Sequence, residues 1–373
     1  MSRPGFDEVV LLTGFPSFGA RKICEEILLS PKTLVHAVVR PQSAAEAMLS
    51  LDILPLEQRR RINLLEGDAA AMDLGLSGKE LRTITQEVDR IHHAAEVSYI
   101  GVDRAMAEQT NVGGAREILE VAEACSNLKC LVFHSTAAVS GDRTGFVREE
   151  DLDKGQGFRN VVEETKARAE RMMRQAMPNV PIAIVRPAIL VGDSQTGEVD
   201  RFDGPYLLIL LMVTSPPDFA MPLPGRGDSP LHLVPIDYVA KVERAIGLDP
   251  RSVGRTFHVV DPRPLTARGI FELVARAGGR RLPRGFIPAN LTKALLRTPG
   301  IDRFSKSPRA FLDALGTPVV YGTANTDEIL SGTGIQCPPF ESYVERLVEF
   351  VQVRLREKRE KRLADRELED PLG

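Results

Sequence analysis

Short apolar runs alternate with longer, more polar stretches through the first two-thirds of the chain. The apolar runs are Glu8–Thr13, Leu34–Arg40, Ile62–Gly67, Asp89–His93, Lys129–Ser135 and Pro181–Arg186. Most are bounded by turn residues and carry few polar positions, as strands covered on both faces should. Between them lie the helical stretches Ala20–Leu29, Ala44–Leu51, Val112–Ala124 and Asn160–Ala176. That alternation predicts right-handed βαβ crossovers and an α/β fold with a doubly wound parallel sheet.

After Pro187 the texture changes. Prolines and glycines crowd residues 215–235, and the expected organisation is a Rossmann-type domain over 1–190 followed by a smaller mixed, substrate-type lobe over 191–350. A strand at Thr256–Val260 is expected to rejoin the main sheet. Residues 351–373 form a charged tail, read as a solvated helix end or a disordered segment, with partner binding as the alternative.

Charge narrows the function classes. The 373 residues carry 48 basic and 51 acidic side chains, a net charge of -3, so no basic excess points to nucleic acid or an anionic membrane. The longest apolar stretch, Leu207 to Val213, is too short to span a bilayer. The four cysteines form no CxxC pair, and neither a disulfide framework nor a metal site is expected. The start of the chain reads as a first strand, not a signal peptide, and the expected location is cytoplasmic.

The chemistry begins at Thr13-Gly14-Phe15-Pro16-Ser17-Phe18-Gly19-Ala20, where a strand turns into a helix. Free N–H groups and the positive end of the helix dipole make such a turn a place for a pyrophosphate. Gly14 suits the tight turn and Ala20 the helix–strand contact. Ser17 stands where a Cβ would crowd the phosphates, and a turn without a ligand stays open as the alternative. Arg40 ends the second strand, where an acidic residue would select a ribose 2′-hydroxyl and an arginine can hold a 2′-phosphate. NADPH is therefore favoured over NADH if a dinucleotide binds. Gly67-Asp68 could frame an adenine, and Ala94 and Ala95 are small enough for a cofactor to lie on the strand tops.

Together these segments resemble the extended short-chain dehydrogenase/reductases, and within them the thioester-reductase and fatty-acyl reductase branch, the male-sterility type. The residues that carry the resemblance are TGFPSFGA (13–20), GDAAAMDLGLS (67–77), HHAAEVS (92–98), NVGG (111–114), STAAVSG (135–141), ETK (164–166), RPAILVGDSQTGEVDRFDGPY (186–206) and VPIDYVA (234–240). The resemblance implies that Gly14, Phe15, Ser17 and Phe18 form the cofactor loop, with Arg40 on the 2′-phosphate and Asp68 on the adenine side. It places Ala94 and Ala95 at the fourth strand, Asn111 on a helix beside it, and Pro187 after the sixth strand. The catalytic Ser/Thr falls on Thr136 and the lysine on Lys166. The ligand it implies is an acyl thioester or another small molecule, and a protein partner or homo-oligomer stays open.

One position breaks the pattern. The family's proton donor is a tyrosine four residues before the lysine, a spacing that puts both side chains on one helix face. Counting back from Lys166 lands on Val162, which has no proton to give. Losing a positioned acid costs about 10²–10⁴ in rate. Glu163 lies about a quarter turn away on the helix. Tyr206 is the tyrosine expected to approach the pocket as a substitute acid. Lys166 is then read as a ribose ligand or a surface lysine. The Leu207–Val213 run is read as helix core or as an acyl-chain pocket, and His92, His93 and His232 as packed, structural histidines. The expected function is a cofactor-sensing or scaffold protein of reductase ancestry. Its alternatives are an active NADPH-dependent reductase and an interaction module that binds no nucleotide.

Overall fold

The structure, a computed structural model, describes residues 5–99, 101–202, 205–216, 220, 222–224, 226–287 and 317–369. Seven strands form the central sheet: β1 (Glu8–Thr13), β2 (Thr33–Val39), β3 (Ile62–Glu66), β4 (Arg90–His93), β5 (Cys130–His134), β6 (Ile182–Pro187) and β7 (Thr256–Val259). Their order is β3-β2-β1-β4-β5-β6-β7, and every neighbouring pair is parallel. Residues of β2 and β5 are buried along their whole lengths, which explains why they read as continuous apolar runs.

Alternation along β1 divides the core. Val9 and Leu11 face one layer with Ile118, Phe133 and Ala169, while Val10 and Leu12 face the other with Ile23, Ala37 and Ala240. The helices that cover the sheet begin at ordinary caps. The helix α1 (Phe18–Ile27) is capped by Ser17, and α2 (Ala44–Asp52) follows β2. A capping box between Ser77 and Glu80 opens α3 (Gly78–Glu87). Next come α4 (Gly114–Ala124) and α5 (Val161–Ala176), whose cap Asn160 accepts from the Glu163 amide at 3.0 Å.

A second core gathers beyond β6. It joins Ile209, Leu210 and Met212 of α6 (Pro205–Thr214), Ile270, Phe271 and Val274 of α8 (Ala267–Ala277), and Leu347, Val348 and Val351 of α10 (Val344–Glu369). Between these, α7 (Ile236–Leu248) packs under the sheet against β5 and β6, and α9 (Ala324–Leu330) packs against β7. The charged stretch from Arg354 continues α10 as one helix to Glu369. A two-stranded parallel pair, Gly145–Val147 with Val319–Tyr321, ties the late chain back to the loop after β5. Among the described residues, no helix is long and apolar enough to cross a membrane.

Candidate functional site

The crevice lies at the carboxyl ends of β1 and β4, where the strand order reverses. Gly14 has a φ of +91°, and a Cβ on it would lie 2.5 Å from the Ala94 carbonyl oxygen. Only glycine lets the two loops approach this closely. The Ala95 amide donates to Thr13 Oγ1 at 3.3 Å, fixing the contact from the other side. Phe15 is buried in the same core cluster as Ala94, so its ring packs inward.

The helix N-terminus is partly spoken for by the chain itself. Ser17 is exposed and its Oγ accepts from the Ala20 amide at 3.4 Å. The Phe18 amide donates to Asp200 Oδ2 at 3.1 Å. Arg21 stands beside both acids of that loop, 3.4 Å from Asp200 and 3.6 Å from Glu198. Arg40, at the end of β2, is exposed, and its side chain has no hydrogen-bonding or ion-pair partner among the described residues. Asp68 accepts from the Ala70 amide at 3.0 Å in the turn after β3. Asn111 is 2% exposed and its amide is committed: it accepts from the Val97 amide at 2.9 Å and donates to the Val97 carbonyl and Thr165 Oγ1, each at 3.0 Å. It therefore clamps the loop after β4 onto α5.

Beyond this crevice is a cavity of about 300 Å³, with Thr136, Val162, Glu163, Lys166, Pro187 and Tyr321 in its wall. Thr136 Oγ1 accepts from the Ala138 amide at 3.2 Å. Val162 packs with Val102 and Ala107, so the position four before the lysine is apolar in its surroundings as well as in its side chain. Lys166 is 3% exposed and not a surface lysine. Its Nζ donates to the His134 carbonyl at 2.6 Å and forms an ion pair with Glu96. Burial pushes the Glu96 carboxyl up, but the ammonium beside it, with His134, holds it below the usual range.

Two further charged groups back this pair. His134 Nδ1 lies 2.5 Å from Glu243; burial alone would lower its pKa, and the carboxylates of Glu243 and Glu96 raise it. His93, stacked on Phe133 at 5.7 Å, is pushed down to about 3 by burial and then by the Lys166 charge. Glu163 accepts from the Arg159 amide at 2.9 Å and from Arg159 Nε at 3.0 Å, yet burial leaves its carboxyl above the usual range.

The expected substitute acid is elsewhere. The Tyr206 hydroxyl accepts from the Gly192 amide at 2.7 Å and its ring belongs to the second core, because a buried phenol takes the nearest backbone partner. Tyr206 is not in the cavity wall, and neither are the described side chains of the Leu207–Val213 run, Ile209, Leu210, Met212 and Val213. The side chains of Leu207, Leu208 and Leu211 lie outside the described residues, as do Asp203 and Gly204 of the 186–206 stretch. The tyrosine that does reach the wall is Tyr321, whose hydroxyl donates to the Ala137 carbonyl at 3.3 Å beside Ser140 Oγ at 3.2 Å. The sequence reading also missed Glu96 and Asp200. An acidic residue set in the apolar HHAAEVS segment was the one visible hint of the first.

Residues 12–242 match the family described as male sterility protein. The chain is 27% identical over 272 residues to the fatty acyl-CoA reductase wat of Drosophila melanogaster, covering 62% of this chain and 52% of that protein. It is 25% identical over 363 residues to a linear gramicidin synthase of Brevibacillus parabrevis, covering 91% of this chain and 7% of the synthase chain. The chain thus spans about half the length of the first relative and a small part of the second. In fold it is similar to the terminal R domain from the myxalamid PKS-NRPS biosynthetic pathway, with a TM-score of 0.77 at 24% identity over 94% of this chain and 92% of that one.

Proposed function

Because the chain belongs to the male sterility protein family, whose matching segment is an NAD-binding domain, we propose that it holds NADPH across the crevice without the family's ordinary proton relay, as a cofactor-sensing or scaffold protein. One observation carries this: Val162 sits in an apolar cluster where the phenol would stand, while Lys166 is committed to Glu96 and to the His134 carbonyl.

The donor set fits a dinucleotide. The opening amide of α1 already donates to an anionic oxygen, and the Arg40 side chain stands exposed at the end of β2 without a partner among the described residues. Gly14, Phe15, Ser17 and Phe18 would line the diphosphate, Arg40 would hold the 2′-phosphate, and Asp68 would border the adenine. Ala94 and Ala95 would floor the crevice, with Asn111 fixing their loop. Lys166 would meet the nicotinamide ribose and Pro187 would wall the ring. Bound NADPH supplies a hydride. What the chain would lack is a group to deliver the matching proton.

The second candidate is an active reductase of an acyl thioester, aldehyde or ketone. It is favoured by the retained cavity, where Glu163 adjoins Val162 with its carboxyl raised by burial and Thr136 could polarise a carbonyl.

The deciding experiment is a fluorescence titration with NADPH and NADH, followed by turnover assays. Binding that prefers NADPH, with the preference lost in Arg40→Ala, is expected. No binding of either nucleotide at millimolar concentration sinks the proposal. With an acyl thioester or aldehyde added, the wild type should consume no NADPH, and Val162→Tyr should raise the rate toward the 10²–10⁴ that a positioned acid is worth, roughly. A wild type that already turns over as fast as Val162→Tyr selects the active reductase.

A further inference from the structure

The segment 193–200 lies against the first turn of α1 and is held there in two different ways. Its first half is anchored. Asp193 pairs with Lys22 at 2.9 Å and takes the Gln195 and Thr196 amides at 2.8 and 3.0 Å. Ser194 is bonded to Asp237 through its amide and hydroxyl at 2.8 and 2.9 Å, and its carbonyl accepts from Arg346 at 2.9 Å. Gly197, with a φ of +74°, is pressed so closely under the Arg346 carbonyl that a Cβ would lie 2.3 Å from it.

The backbone of the second half is held too, since the Glu198 carbonyl accepts from the Asp193 amide at 3.0 Å and Val199 packs against the second core, but the Asp200 side chain is held only from the nucleotide side. Asp200 places one carboxylate oxygen on the Phe18 amide and the other 3.4 Å from Arg21, with its side chain 43% exposed. With Ser17 on Ala20, two of the first three amides of α1 are taken by the chain's own oxygens. Arg21 is not satisfied by this arrangement: its Nε is buried without a hydrogen-bond partner among the described residues.

We propose that Asp200 is a built-in competitor for the diphosphate, a latch that must lift from the α1 N-terminus before a dinucleotide can seat there. The inference rests on the NADPH-binding function proposed above. A carboxylate and a phosphate oxygen ask for the same thing from this helix end, a negative oxygen on a free N–H at the positive end of the dipole. The diphosphate brings more oxygens and more charge, and it can use the Arg21 Nε as well. Because the Asp200 carboxylate is itself 43% exposed and 3.4 Å from Arg21, water can replace that contact at little cost. The anchors at Asp193, Ser194, Gly197, Glu198 and Val199 keep the backbone of the segment in place, so the motion is confined to the Asp200 side chain. The charges facing the latch are Arg21 and Lys22 against Asp193, Glu198 and Glu25, so lifting Asp200 also relieves an acidic excess beside the phosphates.

The test compares wild type, Asp200→Ala and Asp200→Asn by titration with NADPH and, separately, with adenosine 2′-phosphate, which lacks the diphosphate. Asp200→Ala should bind NADPH about tenfold tighter, a gain of about 1.4 kcal/mol, and Asp200→Asn by less, since an amide oxygen can still cap the helix. Adenosine 2′-phosphate should bind all three proteins equally. NADPH affinity that is unchanged or weaker in both variants overturns the latch while leaving NADPH binding intact. Equal tightening for both ligands overturns it too, since that would be a general effect of charge. Absence of NADPH binding in all three proteins removes the latch together with the function on which it rests.

Discussion

Two carboxylates of the chain sit on two cationic features of the crevice, the α1 N-terminus and Lys166, and they do so in opposite environments. Asp200 touches the N-terminus of α1 with its side chain 43% exposed. Glu96 touches Lys166 with the two side chains 17% and 4% exposed. An exposed pair contributes about 0–1 kcal/mol, whereas removing one partner of a buried pair leaves a charge without compensation and costs about 3–5 kcal/mol. The same pairing of acid and positive group therefore makes a displaceable contact at one end and a structural one at the other. A dinucleotide entering this crevice would exchange its diphosphate for Asp200 readily. Its nicotinamide ribose would have to share Lys166 with Glu96, without separating them.

Acid should act on the buried interior and leave the exposed contact at Asp200 out of account. The buried side of the molecule holds neutral histidines: His36 and His92 are pushed down to about 4, and His93 and His258 to about 3, in each case chiefly by burial. In the unfolded chain each would titrate near 6.5. The folded values are depressed, so their stabilisation is complete above about pH 6.5 and is lost as pH falls from there toward 4. Each histidine sheds about 1.4 kcal/mol per pH unit within that window. His134 runs the other way: its folded value is raised, so its contribution is present below pH 6.5 and fades as pH rises through the folded value. His232 is also held below its ordinary value, chiefly by burial, and five against one leaves a net loss in acid. The urea midpoint should fall steeply between pH 7 and pH 5, equally in wild type and Asp200→Ala. Equal midpoints at the two pH values would show that these histidines are not buried as neutral groups.

The two ends also differ in how far they could be read from the chain. Strands β1, β2, β4, β5 and β6 were legible because each is a short run covered on both faces, β3 at the sheet edge because it is a short apolar run bounded by turns, and the cap at Asn160 fixed where α5 begins. The valine at 162 followed from helix spacing alone, since residues four apart share a face. The acids that answer the positive groups were not legible. Asp200 is 182 positions from Phe18, and nothing in local pattern brings them together. Tyr206 was misjudged and Tyr321 overlooked for a related reason. After β6 short strands and turns alternate with the helices of the second core, so the placement of a side chain is decided by tertiary pairing. Tyr321 reaches the cavity because Val319–Tyr321 pairs with Gly145–Val147, while Tyr206 is drawn off by the Gly192 amide.

The smaller effect is also the more direct test of the contrast. Lys166→Met leaves Glu96 facing a methionine with its charge buried, and Glu96→Gln leaves the ammonium with the His134 carbonyl as its remaining close acceptor. Each should cost about 3–5 kcal/mol in chemical denaturation at pH 7. The double variant Lys166→Met with Glu96→Gln removes both charges, so it should recover much of that loss, because the penalty in the single variants is the stranded charge and not the missing attraction. Asp200→Ala measured alongside should lose no more than about 1 kcal/mol, since water takes over the Phe18 amide. If Lys166→Met costs as little as Asp200→Ala, or if the double variant is as unstable as the two single losses added together, Glu96 and Lys166 are not coupled as a buried pair. The two ends of the crevice would then hold their carboxylates with equal looseness.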